Sequence, residues 1–316
     1  MKKTVFIKDI RPGDKISDFF IVAEKNSAFS QKGAPYLNLR LRDRTGELDG
    51  KVWDNVAELE KRFRKGDIVF LQARAVSYKN ATQLSVLNIR PAQEEEIEIA
   101  DYLEASSGDI EAMFRELGIF VDKVKSPSLR ALLKAFFDDQ AIREGFKRAP
   151  AAKAFHHNYI GGLLEHTLSV VRLVDMAADH YGQVDRDILI TGAILHDIGK
   201  IQELSFERLL EYTDSGRLIG HIVMGVEMLD KKISGLEDFP EDQALALRHI
   251  LLSHHGVLEF GSPKRPKTVE ALIVHHMDDM DAKVKAFRQS IAGAAEDEES
   301  PWTPYHRLLE RYIYKG

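Results

Sequence analysis

A histidine and an aspartate lie side by side at the end of an apolar stretch, and this pair most constrains how the chain folds. Residues 188–195 read Ile-Leu-Ile-Thr-Gly-Ala-Ile-Leu, and His196 and Asp197 follow directly. Burying both polar side chains in a helix costs several kcal/mol unless they are paired. A divalent metal ion accepts an imidazole nitrogen and a carboxylate oxygen together, which favours a metal site. For the dipeptide alone, a hydrogen-bonded pair in a core is the alternative.

Two residues that follow the pair extend this interpretation. Gly199 allows another group to approach the backbone closely. Lys200 lies four residues after His196 and therefore shares its face on a helix. A cation beside a metal indicates an anionic substrate, most simply a phosphate. The alternative for Lys200 is a surface lysine at the end of a helix.

The distribution of histidine strengthens the case for metal. All 12 histidines fall between His156 and His306, so the chemistry is expected in the second half of the chain. The chain has no cysteine, which excludes disulfides, thiolate zinc sites and a cysteine nucleophile. One buried histidine is usually a satisfied core residue, but here candidate ligands occur on five apolar helices: His166, then His196 with Asp197, then His221, then His254 with His255, then His275 with Asp278.

Charge divides the chain in two. The first 92 residues carry a net charge of +7, and the remaining 224 carry −13. A basic first module is typical of a protein that binds a polyanion, although a chance surface bias is the alternative. The N-terminus lacks a signal-peptide core, and no apolar run approaches a membrane span. We therefore expect a cytoplasmic protein with no membrane partner.

Residues 1–92 are predicted to form an all-β domain. Leu37, Leu39 and Leu41 alternate with polar residues over 36–42, as in a half-buried strand. Similar patterns predict strands over 16–29, 48–53, 68–76 and 82–90, with a short helical stretch over 54–65. Three strands, a helix and two strands is the order of an OB-fold barrel.

The outward positions of this barrel mix cations with aromatic residues. Such a surface suits single-stranded nucleic acid, because phosphates need cations and unstacked bases need flat apolar partners. An ordinary solvated barrel face is the alternative. The segment 36–46 resembles the anticodon-binding type of OB fold. The proposed substrate-binding residues of the barrel are Tyr36, Arg40, Arg42, Lys51, Trp53, Tyr78 and Lys79.

The rest of the chain reads as helix. We predict a linker and helical connector over 93–125, an all-α domain over 126–291, and an acidic segment with an aromatic tail over 292–316. Ser126 and Pro127 form a good helix start, and residues 211–217 are expected to form a small hairpin. The predicted helices are 127–138, 139–148, 161–181, 185–198, 219–233, 241–255 and 268–291.

The helical part resembles the HD-domain metal-dependent phosphohydrolases, in which a His, an adjacent His-Asp pair and a distal Asp bind one metal. The resemblance implies that these ligands are His166, His196, Asp197 and Asp278. Members with two metals add histidines between the pair and the distal Asp. The matching residues are His221, His254 and His255, with Asp197 as the bridge; Asp197 and Lys200 are the candidate catalytic residues.

Nearly the whole chain resembles the YhaM-type 3′→5′ exoribonucleases. The likeness rests on the barrel ahead of the HD motif, on Gly161-Gly162-Leu163-Leu164-Glu165-His166-Thr167, and on Ser253-His254-His255-Gly256. It implies manganese-dependent release of nucleotides from the 3′ ends of single-stranded RNA, with some activity on DNA. Two divalent ions per chain are expected. Mn²⁺ is favoured, with Fe²⁺, Zn²⁺, Mg²⁺ and Ni²⁺ as alternatives.

The sequence therefore predicts hydrolysis of phosphodiester bonds by a metal-activated hydroxide. Lys200 is expected to contact the scissile phosphate, and His156, His157 and His275 are candidate substrate-binding residues. One alternative is an HD phosphohydrolase of a small or cyclic nucleotide with a regulatory barrel. Another is a nucleic-acid-binding protein with structural metals. Association into a homo-oligomer is left open.

Overall fold

The computed structural model describes residues 3–30, 33–79, 81–98, 101–153, 157–206, 209–294, 300–307 and 309–316. The chain divides into two compact units. The barrel unit comprises residues 1–105 and 205–210, and the helical unit comprises residues 106–204 and 211–316. In the described residues, no helix has the length and apolar character needed to cross a membrane.

The barrel unit is a closed five-stranded barrel with the strand order β1-β2-β3-β5-β4. Its strands are antiparallel except for the parallel pair β3 and β5. This is the OB-fold architecture predicted from the sequence, with three strands, a helix and two strands. The elements are β1 Lys15–Phe29, β2 Pro35–Asp43, β3 Gly46–Val52, α1 Val56–Leu59, β4 Ile68–Tyr78 and β5 Ala81–Pro91.

The alternation in β2 builds the interior of the barrel. Leu37, Leu39 and Leu41 are fully buried in its core. Their partners on β3 are Val52 opposite Leu37 and Gly50 opposite Leu39. The intervening side chains of β2 point outward because successive residues of a strand face opposite sides. The predicted inward and outward faces are confirmed.

The helical unit contains ten helices among its described residues. They are α2 Ile110–Lys123, α3 Pro127–Phe137, α4 Gln140–Arg148, α5 Gly162–Tyr181, α6 Arg186–Leu195, α7 Lys200–Glu203, α8 Asp214–Leu218, α9 His221–Ile233, α10 Glu241–Ser253 and α11 Val269–Gly293. Two-residue strands, β6 Leu204–Ser205 and β7 Glu211–Tyr212, lie between α7 and α8. The predicted all-α domain is confirmed.

Helix α6 is the central element of this unit. The Asp185 carboxylate caps it by accepting a hydrogen bond from the Ile188 amide at 3.0 Å. Every residue from 188 to 195 is buried, and α6 packs against α5, α10 and α11. A helix that is apolar on all sides belongs in the interior. Its end therefore delivers His196 and Asp197 to the middle of the unit.

Several predicted boundaries differ from the structure. The helix predicted over 185–198 ends at Leu195, and the connector predicted over 93–125 is divided between the two units, with α2 in the helical unit. The hairpin predicted over 211–217 is wrong, because only β7 is extended and α8 follows. Thr213 starts α8 by accepting a hydrogen bond from the Gly216 amide at 2.9 Å.

Candidate metal centre and nucleic-acid interface

Seven polar side chains from five places in the helical unit converge in its interior. His166 lies in the second turn of α5, and Asp278 lies in the middle of α11. His166, His196 and His254 are fully buried, and Asp197 and Asp278 are nearly so. The remaining two, His221 at the start of α9 and His255 after α10, are half-buried.

The first cluster brings together four potential ligand atoms. His166 Nε2 lies 3.1 Å from Asp278 Oδ1 and 3.6 Å from Asp197 Oδ2. His196 Nε2 lies 3.3 Å from His166 Nε2 and 3.3 Å from Asp197 Oδ2. Atoms that bind one metal at ~2.0–2.2 Å stand about this far apart. The four residues predicted as one ligand set therefore meet at one point.

The second cluster faces the other oxygen of Asp197. Asp197 Oδ1 lies 3.4 Å from His221 Nε2 and 3.5 Å from His254 Nε2. With His255, these residues offer ligand atoms that all lie within 4.8 Å of one another. Asp197 Oδ1, His221 Nε2 and His254 Nε2 are buried atoms without a hydrogen-bond partner. Buried polar atoms left unpaired are costly, so this donor set fits a divalent ion.

The outer nitrogen of each clustered histidine is held by a fixed acceptor. His196 Nδ1 donates to Ala193 O at 2.8 Å, and His254 Nδ1 donates to Leu251 O at 2.8 Å. His255 Nδ1 donates to Phe260 O at 2.7 Å. These bonds leave Nε2 directed at the centre, as is usual for metal-binding histidines.

Two carboxylates that sequence analysis missed hold the other two histidines. Asp281 Oδ2 accepts from His166 Nδ1 at 2.7 Å, and Glu203 Oε1 accepts from both His221 Nδ1 and the His221 amide at 3.0 Å. A sequence signal existed for Asp281, because it lies three residues after Asp278 and so shares its face of α11. Glu203 carried no such signal, since only the fold brings it to His221.

The buried charges of the centre respond to one another. Burial lowers the pKa of His166, but its hydrogen bonds with Asp278 and Asp281 outweigh this effect and raise the pKa to about 9. Burial, followed by the neighbouring His254 and His221, lowers the pKa of His255 to about 3. The first cluster of the metal-free protein therefore retains a proton that a bound cation would displace.

Lys200 lies at the centre, although residues 196–199 form a turn and not the helix from which its position was predicted. Its side chain is buried, and Nζ donates to Asp197 Oδ2 at 2.6 Å. Burial lowers the pKa of Lys200, but the charge of Asp197 more than compensates and keeps it raised. The lysine is therefore a fixed cation beside the shared carboxylate.

The three other histidines proposed to bind substrate occupy different places. His156 lies outside the described residues. His157 is buried, and its Nε2 lies 3.3 Å from Asp281 Oδ2. This contact helps to hold Asp281, the carboxylate that accepts a hydrogen bond from His166. His275 donates from Nδ1 to His254 O at 2.6 Å and lines the cavity at the centre.

A cavity of about 440 Å³ opens onto the centre. Lys153, Lys200 and Lys283 line it together with the carboxylates of Glu203, Asp278 and Asp279, and Tyr212 and Phe260 give it exposed aromatic surface. Concave sites of this size that combine apolar walls with a few polar groups are typical ligand pockets. The lysines offer contacts to an anion, and the rings offer contacts to a flat apolar group.

Gly199 is the close-approach position that the sequence predicted. A Cβ atom on Gly199 would lie 2.1 Å from His221 O and 2.7 Å from Gly225 N. Both contacts are with backbone, which cannot rotate away. The glycine therefore allows α9 to approach the turn after α6 and sets the position of His221.

We expect Gly199→Ala to lower the free energy of unfolding by about 3 kcal/mol, since overpacking against backbone is costly. Thermal melting should show a decrease of about 6–12 °C. The matched control is Gly118→Ala in α2, where a Cβ meets nothing within 4 Å and melting should be unchanged or slightly higher. Equal melting temperatures for both variants would contradict the close contact.

The outward residues of β2 and β3 in the barrel unit form a small aromatic and basic cluster. The Tyr36 and Trp53 rings stack with centroids 4.7 Å apart. Lys51 Nζ lies 4.9 Å from the Tyr36 ring and donates to Asn38 Oδ1 at 2.8 Å. Trp53 remains 46% exposed. A base or a sugar-phosphate can therefore reach this cluster.

The other predicted barrel residues are not gathered into that cluster. Arg40 is ion-paired with Asp49 at 3.1 Å, and Arg42 is half-buried opposite Glu47 on β3. Tyr78 and Lys79 lie at the turn after β4, with Lys79 Nζ 5.5 Å from the Tyr78 ring. The alternation along one strand predicts neither the cross-strand partners of Arg40 and Arg42 nor the separate turn that carries Tyr78 and Lys79.

The chain matches two family models and is similar to solved structures. A family model described as HD domain matches residues 163–283, and one described as OB-fold nucleic acid binding domain matches residues 21–92. The second OB-fold domain of replication protein A from Methanococcus maripaludis aligns with 31% of this chain and all of that structure, at 23% identity and a TM-score of 0.24.

Two curated proteins are similar along most of their length. The 3′-5′ exoribonuclease YhaM of Bacillus velezensis is 34% identical over 285 residues, which cover 90% of this chain and 89% of the relative. The 3′-5′ exoribonuclease YhaM of Bacillus subtilis is 32% identical over 292 residues, covering 92% and 91%.

Proposed function

The chain belongs to the family of YhaM 3′-5′ exoribonucleases, and on this premise we propose that it releases nucleotides from the 3′ end of single-stranded RNA. Hydrolysis takes place at the His/Asp centre of the helical unit. The observation that carries the proposal is the position of Asp197, whose two oxygens face two separate groups of histidines. Single-stranded DNA is a second substrate of the same chemistry.

The centre offers seven side chains that would hold two divalent ions. His166, His196 and Asp278 would hold one, His221, His254 and His255 would hold the other, and Asp197 would contribute to both. Bound there, divalent ions would lower the pKa of water and neutralise charge on the phosphoryl group under attack. Imidazole and carboxylate ligands without thiolate suit Mn²⁺, which we propose as the ion.

The residues around the centre have separate tasks. Asp281 and Glu203 fix the rings of His166 and His221, which preserves the geometry of the ligands. Lys200 keeps a positive charge beside Asp197 and neutralises a phosphate oxygen of the substrate. The lysines and aromatic rings of the cavity bind the terminal nucleotide.

The barrel unit supplies a separate binding surface for the RNA strand. The net charge of −13 on residues 93–316 disfavours a polyanion, whereas the first 92 residues carry +7. The stacked pair of Tyr36 and Trp53 with Lys51 beside it offers both stacking and charge. Proteins that bind single strands without sequence preference combine these two contributions.

Replacing both Tyr36 and Trp53 with alanine should raise KM for a 20-nucleotide RNA by about 10- to 100-fold, because stacking contributes about 1–3 kcal/mol per base. We expect kcat and the salt dependence of binding to change little, since no phosphate contact is lost. Steady-state kinetics at several salt concentrations measure both. Leu87→Ala is the control, because Leu87 is 73% exposed on β5. A KM equal to that of the control would show that the cluster of Tyr36 and Trp53 does not contribute to RNA binding.

The proposed activity is tested with an RNA labelled at its 5′ end. Wild-type protein with Mn²⁺ should produce a ladder of fragments shortened one nucleotide at a time from the 3′ end. Blocking the 3′ end should prevent the ladder, and Asp197→Asn should not produce it. Internal cleavage products would overturn the exonuclease assignment. Hydrolysis of a cyclic dinucleotide but not of RNA would favour a small-nucleotide phosphodiesterase.

A further inference from the structure

The C-terminal residues form a hairpin with two distinct faces. Trp302 pairs with Tyr314, and His306 pairs with Arg311, in antiparallel bridges. The Thr303 amide also donates to Ile313 O at 2.8 Å. This segment carries all four Trp and Tyr residues of the tail over 292–316, to which the sequence assigned no function.

The inner face of the hairpin is fixed to α11. Leu309 and Ile313 are buried and pack with Ala286 in one apolar cluster. Lys315 Nζ donates to Ala294 O at 3.2 Å, just beyond the end of the helix. The hairpin is therefore held in place by apolar packing at its tip and by a hydrogen bond at its base.

The outer face of the hairpin is aromatic. Trp302, Tyr305, Tyr312 and Tyr314 are 49%, 50%, 61% and 58% exposed. They form two ring pairs, Trp302 with Tyr314 at 5.1 Å and Tyr305 with Tyr312 at 5.2 Å between centroids. Four large aromatic side chains left in water on one face mark a binding surface. We call these four residues the aromatic face.

The position of the hairpin indicates what binds there. Leu309 at its tip lines the cavity at the metal centre, together with Ala282 and Lys283 of α11. The tip of the hairpin is thus part of the proposed substrate site, and the aromatic face lies on the same hairpin.

The charge of the C-terminal segment also favours a strand of nucleic acid. The segment 300–316 contains three cationic side chains and one carboxylate, whereas residues 93–316 as a whole carry −13. Arg307 and Arg311 are exposed on the hairpin. Cations beside aromatic rings are the composition expected of a surface for single-stranded nucleic acid.

We infer that the aromatic face stacks the bases of the RNA strand that lie next to the terminal nucleotide. This inference rests on the proposed function and adds to it a second grip within the helical unit, separate from the barrel. It predicts that the helical unit positions the last few nucleotides by stacking.

Tryptophan fluorescence tests the contact directly. The chain has two tryptophans, so Trp302 is the only one left in a Trp53→Phe variant. In that variant combined with Asp197→Asn, which prevents degradation, a 20-nucleotide RNA should quench Trp302 emission with the same Kd as fluorescence anisotropy reports. Binding by anisotropy without a change in Trp302 emission would overturn the inference.

Replacing Tyr305 and Tyr312 together with alanine should raise KM for the 20-nucleotide RNA by about tenfold. Hydrolysis of bis-p-nitrophenyl phosphate should be unchanged, because this small diester does not reach the face. Phenylalanine at both positions should retain the wild-type KM, since the rings remain. The control is Tyr181→Ala, which removes a 61% exposed tyrosine at the end of α5.

Two outcomes would overturn the inference and leave the proposed function standing. One is a wild-type KM in the double alanine variant while wild-type protein degrades RNA normally. The other is a double alanine variant whose KM is unchanged but whose mass by light scattering differs from that of the wild type. That result would show that the aromatic face is a contact between copies of this chain. A wild-type protein that fails to degrade RNA while Trp302 is still quenched would overturn the proposed function alone.

Discussion

Replacing Asp197 with alanine is expected to lower kcat for single-stranded RNA by at least about 10³-fold, or about 4 kcal/mol of transition-state stabilisation. Asp197 Oδ2 lies 3.3 Å from His196 Nε2, and Oδ1 lies 3.4 Å from His221 Nε2. One substitution therefore removes a proposed ligand from both groups. Single-turnover kinetics with saturating metal measure the loss.

The alanine variant also leaves Lys200 buried without its carboxylate, which is destabilising. Asp197→Asn keeps the shape of the side chain and should lose activity with less effect on folding, as judged by circular dichroism. Asp242→Ala, an exposed carboxylate in the first turn of α10, should be fully active. Turnover above a few per cent of wild type in Asp197→Asn, with metal still bound, would contradict the role assigned to Asp197.

Removing divalent ions should abolish hydrolysis and lower the melting temperature of the full chain. Asp197 and Asp278 are two buried carboxylates that both lie close to His166 Nε2. Bound cations should therefore stabilise the folded state by offsetting this negative charge. Mass action contributes about 2.7 kcal/mol for each ion present at 100 times its Kd. Dialysis against a chelator followed by titration with Mn²⁺ should show activity and melting temperature recovering together.

The asparagine variant serves as the control for this experiment as well. Because Asp197 is shared by the two clusters, its replacement should sharply reduce the shift in melting temperature that Mn²⁺ produces. A chelated wild-type protein that retains full activity would exclude the proposed metal dependence. An equal Mn²⁺-induced shift in the variant would show that the stabilising ions bind elsewhere.

Local patterns predicted most of the helical unit. The apolar run before His196 became α6, and Ser126 caps α3 as expected, with its hydroxyl accepting from the Leu129 amide at 3.5 Å. These features depend on residues close together in the chain. The region 211–217 was predicted incorrectly because Thr213 can begin either a turn or a helix, and the cap it forms with Gly216 decided the outcome.

The candidate ligands of the centre were found from their residue types and from the resemblance to HD-domain proteins, but the carboxylates that hold them were not. Imidazoles and carboxylates on apolar helices are unusual enough to be noticed. Glu203 looks like any charged residue near the end of a short helix, and only the fold places it against His221. His157 was expected to touch substrate, whereas its burial beside Asp281 depends on contacts across more than 100 residues.

The barrel shows the same limit. Alternation along β2 correctly separated inward leucines from outward polar residues. It could not reveal that Arg40 would be engaged by Asp49, because that contact depends on the register of β2 and β3. The stacking of Tyr36 on Trp53 likewise depends on which residues face each other across two strands.

The central claim is that Asp197 joins two ions in one centre, and electron paramagnetic resonance of the Mn²⁺-loaded protein tests it most directly. Two Mn²⁺ ions that share a carboxylate should give the broadened spectrum of an exchange-coupled pair at two ions per chain. His254→Ala, which removes a proposed ligand of the second ion only, should convert this to the six-line spectrum of a single ion. A six-line spectrum in fully loaded wild-type protein would contradict the account.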